Sequence, residues 1–185
     1  MLEYVEINRD DLDELSELYE VYLNSGGRVK GWLQEGLNDS RYCGIKCLDD
    51  GKIVGAISAR PNVEFTCGHE EIVNEINDRW KGLDLFTADM LTVLPAYRES
   101  GVGRELTIKH RDQIIKNGGH GIVVELWHKN NDERPGSGLL KYLGNGELLG
   151  VYDDFYKDLD KYGLSCPDCG LPCSCGADVY VIVFE

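Results

Sequence analysis

The run Arg98-Glu99-Ser100-Gly101-Val102-Gly103 sets two glycines at a junction between two patterns. Before it lies the strand-like run Leu85 to Leu94. After it, Val102, Leu106, His110 and Ile114 recur at helical spacing. Gly101 and Gly103 carry no Cβ, so backbone N–H groups can converge on a ligand oxygen while the new helix presents its positive end. A diphosphate is the group that fits such a cradle. Two acids, Asp89 on that strand and Glu125 on a later apolar run, could take a proton from a nucleophile. Asp89 is the first choice of base and Glu125 the rival; binding a substrate ammonium or capping a turn are other uses of Asp89. The chain also holds Cys166-Pro-Asp-Cys169-Gly and Cys173-Ser-Cys175-Gly, four of its seven cysteines within ten residues. Thiolates so paired, with turn-forming glycines, can converge on a tetrahedral zinc ion.

The pattern Val93-x-Pro95-x-x-Arg98-x-x-Gly101-x-Gly103-x-x-Leu106 resembles the acetyl-CoA motif of the GNAT superfamily of N-acetyltransferases. Strand, breaking proline, glycine loop and helix follow in the family's order. The resemblance implies one α/β (α+β) domain over residues 1–185, a mixed and mostly antiparallel central sheet with splayed central strands flanked by helices. It implies acetyl-CoA as cosubstrate, held by Leu91, Thr92 and Val93 and by Arg98, Glu99, Ser100, Gly101, Val102, Gly103 and Arg104. Asn130, or else Asn131, would bond the pantetheine arm, and the Val93 N–H would polarise the thioester carbonyl. A tyrosine on the helix after the splayed strand would protonate the departing thiolate. Tyr156 is the choice, with Tyr142 and Tyr152 remaining as candidates. The reaction so implied is direct attack by a primary amine within a ternary complex.

Charge limits the partners. With 33 acidic against 19 basic residues the chain carries −14, which disfavours nucleic acid and anionic membrane surfaces. Residues 1–24 hold eight acids and one base, Arg9, a field suited to drawing in a cationic small molecule or a lysine-bearing peptide, or else simply a solvated face. Hydrophobic content of 42% suits a globular core, and no apolar run is long enough to span a bilayer. No secretion signal is legible, so a cytoplasmic protein is expected.

The elements that must position these groups read as follows. Residues 2–7 alternate as a strand, and Asn8 caps a helix over 10–23 with Leu12, Leu15, Leu18, Tyr19 and Tyr22 on its apolar stripe. Gly26-Gly27 ends it, and Val29 to Leu37 suggests a short helix. Tyr42 to Leu48 and Ile53 to Ala59 flank Asp49-Asp50-Gly51 as a β-hairpin. Pro61 to Asp84 is an insertion with a helix over 69–80, open to reading as a lid, a surface elaboration or a homodimer contact. By the period of two, Thr87 and Asp89 share a face with Leu91 and Val93. Gly118-Gly119 closes the motif helix, and His120 to Trp127 is a buried parallel strand. The glycines from 136 to 150 signal turns with one helical turn at Leu139 to Leu143, so the family's next helix is placed at Tyr152 to Tyr162. Val179 to Phe184 is the last strand.

His110 falls on an apolar stripe and reads as a core residue, and His128 reads as a strand-end surface residue. Only three residues separate the two cysteine pairs, so zinc stands beside reduced thiols or a redox-formed disulfide. An amine N-acetyltransferase is the leading reading. A non-catalytic CoA-binding sensor and a metal or redox sensor on the same scaffold are the alternatives.

Overall fold

The computed structural model describes residues 1–23, 26, 28–129 and 134–184. Its frame is a seven-stranded sheet in the order β1-β2-β3-β4-β5-β7-β6. The strands are β1 (Glu3–Glu6), β2 (Cys43–Asp49), β3 (Lys52–Pro61), β4 (Leu85–Val93), β5 (Gly121–His128), β6 (Gly146–Tyr152) and β7 (Gly176–Val183). Every neighbouring pair is antiparallel except β4 and β5, which run parallel. Asn8 starts the first helical segment as expected: its amide donates to Asp11 and its side chain accepts from Asp10, a reciprocal capping box. One 3-10 turn there leads into α1 (Leu12–Tyr22). Asp50 and Gly51, at φ 48° and 78°, make the tight hairpin turn between β2 and β3.

Helices cover both sheet faces. α1, α2 (Val29–Asn38) and α3 (Glu70–Arg79) pack over one side, where Leu15, Tyr19, Leu33 and Ile76 meet Ala56, Met90 and Val179. α4 (Val102–Lys116) and the short α5 (Leu140–Leu143) cover the other. The expected stripe Val102, Leu106, His110 and Ile114 is buried in α4. Gly118, at φ 84°, ends that helix, and the amide of Gly119 returns to the Ile114 carbonyl. His110 is a core residue, and burial, offset in part by the Cys43 backbone, pushes its imidazole down to about 4.

Three expectations are corrected. The segment Tyr152 to Tyr162 is not an α-helix: β6 ends at Tyr152, Asp154 takes a left-handed φ of 54°, and only a 3-10 turn follows at Leu159–Tyr162. The alternating Glu147 to Tyr152 run pairs along β7 instead, which satisfies its backbone in the sheet. His128 is buried rather than on the surface, because it faces Gly176 of β7 and a Cβ there would lie 2.4 Å from its ring. Thr87 and Leu91 do not share a face. Ser58 pairs Met90 while Ala59 pairs Ala88, so Asp89 is the extra residue of a β-bulge. Phe86 and Ala88 before the bulge pack with the α4 side, and Leu91 and Val93 pack there after it, so the alternation shifts by one.

The depressed His110 value gives a test of the core. Unfolded chain takes up a proton near pH 6.5 while the native ring resists until about 4, so stability falls as pH drops through that window. His110→Leu should therefore lose less of its thermal midpoint than wild type between pH 7 and 5; equal losses would place the acid sensitivity elsewhere.

Candidate active site at the fork of the central strands

Parallel pairing of β4 and β5 covers only Leu85↔Gly121, Phe86↔Ile122 and Thr87↔Val123, and the strands then diverge. Beyond the fork, Leu94 N–H donates to Val54 O at 2.9 Å, so strict alternation makes Gly55↔Val93 a pair without ladder bonds. The N–H of Val93, and by the same parity that of Leu91, points away from β3 into the widening slot. Thr92 has the opposite parity, its main chain serves Ala56, and its side chain is buried. Of the three β4 residues expected at the cosubstrate, Leu91 and Val93 present backbone to the slot and Thr92 does not.

The glycine loop continues from that edge. Arg98 Nε donates to the Val93 carbonyl at 3.0 Å, pinning the loop to the strand end. Glu99 and Gly101 take left-handed φ of 61° and 92°, which turns successive amides to one side before α4 begins. Among the described residues no protein acceptor takes the amides of residues 99–104; the hydrogen bonds of this stretch begin again at Glu105 N–H to Gly101 O. Those donors and the N-terminus of α4 form an open anion cradle. Ser100 turns its hydroxyl back to Tyr97 O, and Arg104 pairs with Glu105, so main chain supplies the cradle. Asn130 lies outside the described residues.

The two acids at the fork differ sharply. Asp89, carried on the bulge, accepts from Trp32 Nε1 (2.7 Å), Tyr42 OH (3.0 Å), Ser58 Oγ (3.3 Å) and Arg60 Nε (3.2 Å). Arg60 also lies 3.8 Å over the Trp32 ring. Four donors fill the acceptor sites of one carboxylate, so Asp89 has no position left for an incoming ammonium. Glu125 is the reverse: its Oε2 is buried without a hydrogen-bond partner. Burial, reinforced by the Asp89 charge, raises its carboxyl to about 8.

Tyr156 is buried within the electrostatic reach of Glu125. Burial first, then the Glu125 charge, holds its phenol well above the ordinary value, so it stays protonated. Sequence placed it on a helix; tertiary packing brings it to the fork from a turn instead. Its amide donates to Cys175 O at 3.3 Å, and the neighbouring Phe155 stacks on His69 with ring centroids 3.9 Å apart. His69 Nε2 also donates to the Phe155 carbonyl at 2.9 Å, so the insertion and the cysteine loop hold this turn from two sides.

Between the insertion, α2 and Tyr162 opens a cavity of 470 Å³ whose wall includes Arg28, Trp32, Glu64, Glu70 and Tyr162. Trp32 also bonds Asp89, so this cavity backs onto the fork from the face opposite α4. No local pattern marked Trp32, Tyr42 or Arg60 as site residues. They meet Asp89 across three elements of the fold.

The four sulfurs of Cys166, Cys169, Cys173 and Cys175 lie within 4.8 Å of one another. Burial pushes the Cys173 thiol up to about 12 and Cys175 higher still. At Cys169 burial also pushes upward, but the Ser174 backbone and neighbouring sulfurs outweigh it and lower the thiol.

The model of the acetyltransferase (GNAT) family matches residues 6–144. The chain belongs to that family. It is accordingly an acetyl-CoA-dependent N-acyltransferase. The match ends at Gly144, directly after α5, and residues 145–184 lie beyond the match. No curated protein matches it in sequence. Among solved structures, Arabidopsis thaliana NAA60 in complex with acetyl-CoA superposes with a TM-score of 0.69 at 17% identity, over 100% of this chain and 99% of that one. The Escherichia coli ribosomal-protein-S18-alanine N-acetyltransferase gives 0.63 at 15%, over 100% and 95%. An aminoglycoside 6'-N-acetyltransferase complexed with coenzyme A gives 0.64 at 14%, over 99% and 98%. At these identities the likeness is one of fold.

The Asp89 network makes a direct prediction. Asp89→Ala leaves the buried Arg60 guanidinium with the Trp32 carbonyl and ring but without its carboxylate, which should cost about 3–5 kcal/mol in urea unfolding. A loss below about 1 kcal/mol would mean that Arg60 finds water or another partner.

Proposed function

We propose that the chain acetylates the primary amine of a cationic small molecule or peptide by direct attack on acetyl-CoA, with Glu125 as the base. The unpartnered Glu125 Oε2 at the fork carries the reading. A buried carboxyl near 8 gains a proton readily from an alkylammonium while remaining able to ionise at working pH. The free amides of residues 99–104 suit the diphosphate of the coenzyme, and the slot beyond Thr87 and Val123 suits its pantetheine arm. The acceptor enters from the 470 Å³ cavity, where Glu64 and Glu70 outnumber Arg28 and, with the chain's net −14, favour a cation.

The amine nitrogen attacks the thioester carbonyl carbon as Val93 N–H donates to the developing oxyanion. Collapse of the tetrahedral adduct breaks the C–S bond, and Tyr156 gives its phenol proton to the sulfur. Of the two protons the ammonium loses, Glu125 passes one to solvent and the other restores Tyr156. Asp89 takes no proton; it braces the Trp32 side of the cavity. The four clustered thiols are read as a mononuclear zinc site.

Two measurements test this. The rate against pH should rise with a midpoint near 8, and Glu125→Gln should lose at least about 100-fold in kcat, the lower end of general-base effects, with that limb abolished. An unchanged limb in Glu125→Gln would remove Glu125 from the proton path. Gly101→Asp places a carboxylate in the cradle at a left-handed φ, so acetyl-CoA affinity by calorimetry should fall more than about tenfold, or 1.4 kcal/mol. Equal affinity would overturn the cradle.

A further inference from the structure

The segment beyond the family match, residues 145–184, carries both Tyr156 and the four cysteines. Around a tetrahedral zinc with Zn–S bonds of ~2.3 Å the sulfurs sit ~3.8 Å apart. Here Cys166 and Cys175 are 3.9 Å apart, Cys169 and Cys175 3.6 Å, and Cys169 and Cys173 3.5 Å. No pair exceeds 4.8 Å, which fits one ion and is too tight for ligands spread around a multi-iron cluster. A disulfide needs ~2.05 Å, and none of the seven cysteines is so bonded.

The backbone is shaped for the same purpose. Gly170 N–H returns to Cys166 O at 2.9 Å, and Gly170 takes a φ of 71°, which turns the chain back so that Cys166 and Cys169 face the same point. Cys175 N–H donates to Cys173 Sγ at 3.5 Å. Lys129, bonded to Asp168 at 2.6 Å, lies within electrostatic reach of Cys169 and Cys175.

From this arrangement we infer that Cys166, Cys169, Cys173 and Cys175 bind one zinc ion whose role is to position Tyr156 and the start of β7 against Glu125. The connection is one hydrogen bond on one side and one peptide bond on the other. Cys175 O holds the Tyr156 amide, and Gly176 opens β7, whose Val179 pairs Glu125. Zinc binding releases the thiol protons to solvent and forms four Zn–S bonds, with no change in oxidation state. The positioning role rests on the acetyl-transfer reading above; the metal site does not.

The experiment uses the full chain purified without added metal. Elemental analysis should give one zinc per chain. The cobalt-substituted protein should show thiolate-to-cobalt charge-transfer and tetrahedral d–d absorption. Cys169→Ala should lose the metal, whereas Cys169→His keeps a four-ligand set and should retain it. Zinc withdrawal by a thiol reagent with chelator should raise amide exchange across 153–178 at least about tenfold, with acetyl-CoA affinity unchanged within about twofold and kcat reduced. Iron in place of zinc, or no stoichiometric metal in the purified chain, would overturn the inference. Metal retained with exchange of 153–158 unaltered on its removal would overturn the positioning role. A chain that holds zinc with these exchange effects yet acetylates no amine would refute acetyl transfer while leaving the zinc site standing.

Discussion

Two parallel strands that pair for three residues and then part impose the main constraint on this molecule. Past the fork the edge of β4 presents main-chain donors that no strand receives, and buried donors of that kind demand a partner. The glycine loop extends the same unfilled edge into a turn whose amides also lack acceptors among the described residues. The fold supplies the site as a gap in its own hydrogen bonding.

The bulge at Asp89 explains why two similar carboxyls beside the fork have opposite fates. The extra residue aims its side chain at Trp32, Tyr42, Ser58 and Arg60, and the buried pair with Arg60 ties α2 and β3 to β4. Glu125, on a regular strand, receives no such donors, and its Oε2 stays buried without a partner. Burial acts on both residues. Hydrogen-bond saturation is what separates the two carboxyls.

The far wall of the site comes from residues beyond the family-model match. After α5 the chain forms β6, returns through the turn bearing Phe155 and Tyr156, and closes over the cysteine cluster before β7. Phe155 meets the insertion through His69, so the cavity mouth and the fork are joined by one small aromatic cluster. The insertion and the cysteine loop thus act together on the same turn.

By itself the sequence determined the elements whose signals are local. The capping of the first helix, the tight hairpin, the glycine turn before α4 and the stripe of α4 depend on neighbours a few residues apart, and all were legible. So were the family and its mixed sheet, because the motif ties a strand, a loop and a helix within one short stretch. Tertiary structure alone decided the rest. A bulge shifts the facing of Asp89 without any mark in composition, since the residues that pair across it lie thirty positions away. The run 146–152 became a strand because β7 offered it an edge, and four sulfurs split into two close pairs met because the chain folded back at Gly170. Partners supplied by distant elements set these outcomes, and no local pattern records which partner will arrive.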